Sequence, residues 1–226
     1  MLTERENMEI CWNHEQPEWV PMINTASQMI ITPEINDRPL FMNGKDAFGV
    51  EWELDPAHPE LMTHVKPNQV LFDDITEWED YVKFPHAKEI DWTQARERTK
   101  AMWAKKDEIQ GYFVGNMGAF EKICAMMGHS NGLMAPYDDE DAYQAFVDAY
   151  ADYRIEQFEM LKEYLDIDFV MMHDDWATRT ICLWIRISGA NSTKSLSAGW
   201  YRLHMIWACT ICITAAAISP RSFRTW

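Results

Sequence analysis

The stretch IDFVMMHDDW, residues 167–176, decides how this chain folds. Phe169 to Met172 form an unbroken apolar run, the pattern of a strand buried on both faces. The run leads straight into His173, Asp174 and Asp175. In a (β/α)8 barrel, polar residues just past a strand's C-terminal end form the active-site rim. The stretch therefore predicts a buried parallel strand carrying a candidate site at its end.

Upstream, the segment from Asp138 to Leu165 is predicted to be one long amphipathic helix. Tyr143, Phe146, Val147, Tyr150, Tyr153, Phe158 and Leu161 recur at helical spacing, and Asp138, Asp139, Glu140 and Asp141 suit the positive end of its dipole. Before it, AFEKICAMMG (119–128) reads as a helix closed by Gly128, and GYFVGNMG (111–118) as a short apolar strand ending in Asn116 and Gly118. A helix fits 92–109. Residues 33–91, rich in Pro, Asp and Trp, read as a long insertion or lid with short helices. EWVPMINTAS predicts a first strand, Val20 to Ile23, ending in Asn24 and Thr25, and residues 3–13 predict a helix with a Thr3–Glu6 capping box. Strand, helix, strand, helix, strand is the order of a parallel α/β sheet or barrel.

Composition narrows the function. A formal charge of −16 leaves little to neutralise phosphates and argues against a nucleic-acid partner. The 47% hydrophobic content argues for a packed core. MLTERENMEI is charged from Glu4 onward, which is unlike a signal peptide and makes the cytoplasm the expected location, and no stretch before residue 203 suits a membrane span. The 5 cysteines, odd in number and scattered, do not suggest a disulfide framework.

Downstream the text changes. All 36 acidic residues lie at or before Asp175, whereas residues 176–226 hold only the basic Arg179, Arg186, Lys194, Arg202, Arg221 and Arg224. At the chain's own acidic frequency such a gap arises roughly once in ten thousand. The genetic code offers an explanation. Joining the third base of one codon to the first two of the next, Trp184–Ile185 and Met205–Ile206 must each read Asp, and Trp207–Ala208 must read Gly. With permitted codons the shifted frame also yields Asp-Pro-Asp-Phe-Trp and His-Ser-Cys-Gly segments. Residues 177–226 are thus read as an out-of-frame tail behind a 1–176 domain. Cys209 and Cys212, at C-x-x-C spacing, lack the context of a redox or zinc pair. Leu203 to Pro220 is short and polar for an anchor.

LTERENMEICWNHEQPEWVPM, DAFGVEWE, VLFDDITEWEDYVKFP and FVMMHDDW resemble the uroporphyrinogen decarboxylase superfamily over residues 1–176, about half the length of a usual member. The resemblance implies a (β/α)8 barrel, here truncated, and two chemistries. True decarboxylases act on a tetrapyrrole with eight carboxylates, without a cofactor, and carry an Arg-Gln-Ala-Gly-Arg-Tyr segment after the first strand. Here that position reads NTASQMIITPEI, with no arginine between it and Arg38. FGVEW and DITEWEDYVKFP are more similar to the branch that moves a methyl group, for instance from methoxylated aromatics, to a corrinoid protein or a thiol. That branch uses zinc held partly by a His-x-Cys motif, which this chain does not translate. The expectation is a methyltransferase, with a decarboxylase or an inactive frameshifted fragment as alternatives.

His173, Asp174 and Asp175 are the candidate catalytic residues, against a plainer reading as a solvated strand end with a helix cap. Asn24 and Asn116 are candidate substrate contacts or turn formers. Glu121 reads as a dipole-complementing residue. Trp52, Trp78 and Trp92 read as lid core or as a platform for an aromatic or corrinoid ligand. No metal ligand is assigned, and His58, His64 and His86 are given no role.

Overall fold

A computed structural model describes residues 1–58, 60–103, 107–113, 117–174 and 210–215, and of His173 and 210–215 the backbone alone. The chain opens with α1 (Glu4–Trp12), capped as expected: Glu6 N–H donates to Thr3 Oγ1 at 3.2 Å and Thr3 N–H to Glu6 Oε2 at 2.8 Å. A one-turn helix α2 (Ile23–Ala26) then leads into β1 (Ser27–Ile30). The first strand therefore starts later than the Val20–Ile23 run suggests. Val20 is exposed and Pro21 lacks a backbone donor, so that run cannot join a central ladder.

The insertion follows. It holds a small antiparallel sheet of β2 (Gly44–Lys45), β3 (Glu51–Glu53) and β4 (His64–Val65), a 3-10 turn at Ile75–Glu77, α3 (Trp78–Tyr81) and a second 3-10 turn at Ala87–Glu89. The short helices match expectation; the sheet does not follow from periodicity, because its strands are two or three residues long. Next come α4 (Thr93–Met102), β5 (Ile109–Phe113), α5 (Ala119–Met127), α6 (His129–Asp138) and α7 (Glu140–Leu165). Gly128, at φ 82°, breaks α5 from α6, a left-handed position that a side chain would strain. Asp139 caps α7, accepting from Ala142 N–H at 2.8 Å, and Asp166 closes it at φ 53°.

β6 (Phe169–Asp174) is the strand predicted from IDFVMMHDDW. With β7 (Thr210–Ala215) it completes a four-stranded parallel sheet of order β1-β5-β6-β7. The described part is thus an α/β unit with strands in chain order. β7 falls inside the stretch read as out of frame. The out-of-frame reading gives no reason for this strand, although its residues TICITA are largely β-branched and locally favour one.

The two faces of the sheet differ. Ile30, Tyr112, Val170 and Met172 join the large core formed with α4, α5, α7 and the insertion. Ile109 and Phe169 point the other way and meet Met8 and Trp12 of α1. The rings of Trp12 and Phe169 meet edge-on at 5.4 Å. Phe169 lies over Gly111 of the neighbouring strand, where any Cβ would fall 2.4 Å from the ring. An aromatic cluster of Phe48, Trp78, Phe84, Phe146, Tyr150 and Tyr153 fastens the insertion to α7, with Trp78 5.7 Å from Phe146 and Phe48 5.4 Å from Tyr153. Among the described residues no helix is long and apolar enough to cross a membrane.

Candidate cleft at the β5–α5 turn

A cleft of about 570 Å3 opens between the insertion and the start of α5. Met117, Phe120, Glu121 and Cys124 come from the turn and helix after β5, while Arg38, Trp52 and Val65 come from the insertion. It therefore lies beyond the C-terminal end of a parallel strand, where open α/β sheets bind ligands.

Arg38 and Trp52 form one wall. The guanidinium carbon sits 4.9 Å from the Trp52 ring. Nε donates to Thr63 Oγ1 at 3.4 Å and Nη2 donates to the Thr63 carbonyl. Burial pulls the Arg38 pKa down, and the charge of Glu121 partly restores it.

Behind this wall lies a buried polar lattice. Asp46 accepts from the Trp52 indole N–H at 3.0 Å, from Phe48 and Val50 N–H at 2.9 and 3.0 Å, and from Lys122 Nζ at 3.1 Å. Lys122 also donates to the Asp37 carbonyl at 2.8 Å and lies 4.5 Å from the Phe48 ring. Arg154, fully buried on α7, pairs with Asp37 and donates to Gln157 Oε1 at 2.6 Å and to the Met117 carbonyl at 3.1 Å. Tyr153 donates to Asp37 at 2.5 Å. Burial opposes the Asp37 charge, but Arg154 and Lys122 outweigh it and hold Asp37 below the ordinary carboxylate range. Burial likewise opposes the Arg154 charge, and Asp37, Tyr150 and Tyr153 together more than offset it, raising its pKa. Each carboxylate of the lattice is adjacent in sequence or bonded to a wall residue: Asp37 precedes Arg38, and Asp46 holds Trp52.

The sequence-derived candidates fall in different places. Asp174 is buried beneath the cleft floor, where its two oxygens accept from Phe120 N–H at 3.3 Å and Glu121 N–H at 3.1 Å. It caps α5 from a neighbouring strand, and Gly118 is required there because a Cβ would fall 2.0 Å from its carboxyl carbon. Burial pushes the nearby Tyr143 hydroxyl upward in pKa, and Asp174 adds to the shift. His173 lies on β6 opposite Thr214. Asp175 and Asn116 lie outside the described residues. Asn24 is exposed on α2, before β1, and so at the opposite end of the sheet from the cleft. Glu121, in the first turn of α5, accepts from Gly118 N–H at 3.4 Å, while its own N–H goes to Asp174. Of the tryptophans, Trp52 lines the cleft, while Trp78 and Trp92 are core.

Arg38 escaped the sequence reading. Its wall exists only because Asp37 meets Arg154, 117 positions away, and no local pattern marks such a pair. Among the described residues no three His, Cys, Asp or Glu side chains gather as metal ligands, so these residues offer zinc no ligand set. What the cleft offers is an apolar floor, one stacked arginine and a preset wall, the means to bind and orient a small molecule. Set against known protein families, curated proteins and solved structures, the chain matches none.

Proposed function

We propose that this chain is the N-terminal part of a (β/α)8 barrel enzyme of the uroporphyrinogen decarboxylase superfamily, from the methyl-transferring branch. Its substrate is a small donor such as a methoxylated aromatic, its acceptor a corrinoid protein or a thiol, and its location the cytoplasm. The observation that supports this reading is the apolar cleft at the C-terminal side of β5, walled by a single arginine that forms no close ion pair among the described residues. A tetrapyrrole with eight carboxylates calls for several such cations. The cleft residues bind the donor and shield it from water. The aryl ether C–O bond breaks, the methyl passes to the acceptor's nucleophile, and the phenolate leaves. Of the cluster His173, Asp174 and Asp175, His173 and Asp175 are the proposed catalytic residues, and Asp174 is a positioning residue that holds the Phe120 and Glu121 amides beneath the cleft.

The test is to supply 3-methoxybenzoate with a corrinoid protein or coenzyme M and to follow methylated acceptor and free phenol. Formation of both is expected. Release of carbon dioxide from uroporphyrinogen instead would overturn the proposal in favour of decarboxylation.

A second reading is favoured by the acid-free stretch after Asp175: translation leaves the frame past Trp176 and the product binds without turnover. The DNA around the Trp176 codon decides it. A gene whose shifted frame lacks the barrel's continuation rules this reading out.

A further inference from the structure

We propose that Arg38, stacked on Trp52, is the receptor for the single carboxylate of an apolar, ring-sized ligand that fills the cleft. The inference rests on the cleft being the substrate site and names what that site selects.

Arg38 stands apart from the ion-paired arginines. Arg5 pairs with Asp168 at 2.7 Å, Arg98 with Glu34, and Arg154 with Asp37. Arg38 has no carboxylate within ion-pair distance among the described residues, although it is part-buried against an apolar cleft. A guanidinium has five N–H donors. Here Nε and one hydrogen of Nη2 serve Thr63, which leaves both hydrogens of Nη1 and one of Nη2. That remaining edge is the one a carboxylate meets with two parallel hydrogen bonds.

The receptor is held in place before any ligand arrives. Asp37, gripped by Arg154 and Tyr153, fixes the backbone immediately before Arg38. Asp46, gripped by Lys122, fixes the indole on which the guanidinium rests. Preset side chains lose little freedom on binding, so more of the interaction is expressed as affinity.

The surroundings define the rest of the ligand. Met117, Phe120, Val65 and Val70 supply an apolar lining suited to a ring. Lys66, the other cation lining the cleft among the described residues, already holds Glu51 at 3.0 Å, and the Glu121 charge, which also acts on Arg38, disfavours a ligand with more than one negative charge. The cleft therefore takes one carboxylate at the Arg38 end and disfavours a second. Its volume suits a molecule of one or two rings.

Calorimetric titration of the full chain with 3-methoxybenzoate, 3-methoxybenzamide and inorganic phosphate tests this. Hydrogen bonds to a charged group correspond to roughly a tenfold to hundredfold preference for the acid over the amide. Arg38→Gln is expected to abolish that preference by weakening acid binding far more than amide binding, and Arg38→Lys to keep part of it. Equal binding of acid and amide by the unmodified chain overturns the proposal even if Arg38→Gln fails to fold. Phosphate competing as well as the benzoate overturns the assigned ligand class. Acid-selective binding without methyl transfer leaves this inference standing and removes the activity proposed above; methyl transfer without acid selectivity does the reverse.

Discussion

The junction between the insertion and helices α5 and α7 and the α1 face of the sheet are both buried, yet they are built from opposite materials. On the α1 face, Met8, Ala26, Ile109 and Phe169 meet as a small apolar cluster, with Arg5–Asp168 at its margin. At the junction, Asp37, Asp46, Lys122, Arg154 and Gln157 are buried together and bonded to one another. Apolar contacts tolerate small slides, whereas a charge lattice accepts only one arrangement because each unmatched member is costly. The rigid material stands directly behind the cleft wall. A surface that must present Arg38 and Trp52 in one geometry gains most from it.

Breaking the lattice is expected to have the largest effect. Arg154→Met leaves the Asp37 carboxylate buried without its cation and should destabilise the fold by about 3–5 kcal/mol in chemical denaturation. Adding Asp37→Asn should recover part of that loss, since the stranded charge is removed. A double variant no more stable than the single one would show that the arginine acts through packing alone.

Acid sharpens the same contrast. Asp37 is held below its unfolded value, so its contribution is complete at neutral pH. It should fade as pH falls below about 4 and vanish once the lower folded value is passed. Tryptophan fluorescence during acid titration reports this, and Asp37→Asn should flatten the stability slope there. An unchanged slope would place the acid sensitivity elsewhere.

On the α1 face, Gly111→Ala drives a methyl group into the Phe169 ring and should cost about 1–3 kcal/mol by overpacking. Thermal melting measures it, and Phe169→Leu in the same chain should relieve much of it. Removal of the Asp174 side chain by alanine exchange should cost about 1–2 kcal/mol, as two α5 amides lose their acceptor. Thr3→Ala should cost about 1 kcal/mol or less, because the α1 cap is exposed and water can replace it.

Elements with a strong local signal were legible. The Thr3–Glu6 box announces α1, Gly128 marks the end of α5, and the apolar run before His173 is β6. The predicted helix from Asp138 begins at Glu140, since Asp139 takes the cap, and α6 before it went unrecognised because Gly132 and Pro136 weaken its pattern. The first strand was misplaced by a few residues because Val20 and Met22 look like core residues and are exposed. The role of Asp174 as a cap was half legible. A helix cap was one reading of the cluster, but the helix it serves precedes it in the chain by more than 50 residues.

By itself the sequence determined the α/β order, the parallel strand ending in an acidic cluster, and the abrupt loss of acidic residues after Asp175, since each is written in neighbouring residues or in composition. Only the tertiary structure decided that Arg38 and Trp52 form a wall, that Arg154 and Lys122 hold it from behind, and that Gly118 makes room for Asp174. Those pairings join residues far apart in the chain, and burial alone turns such distant charges into obligatory partners.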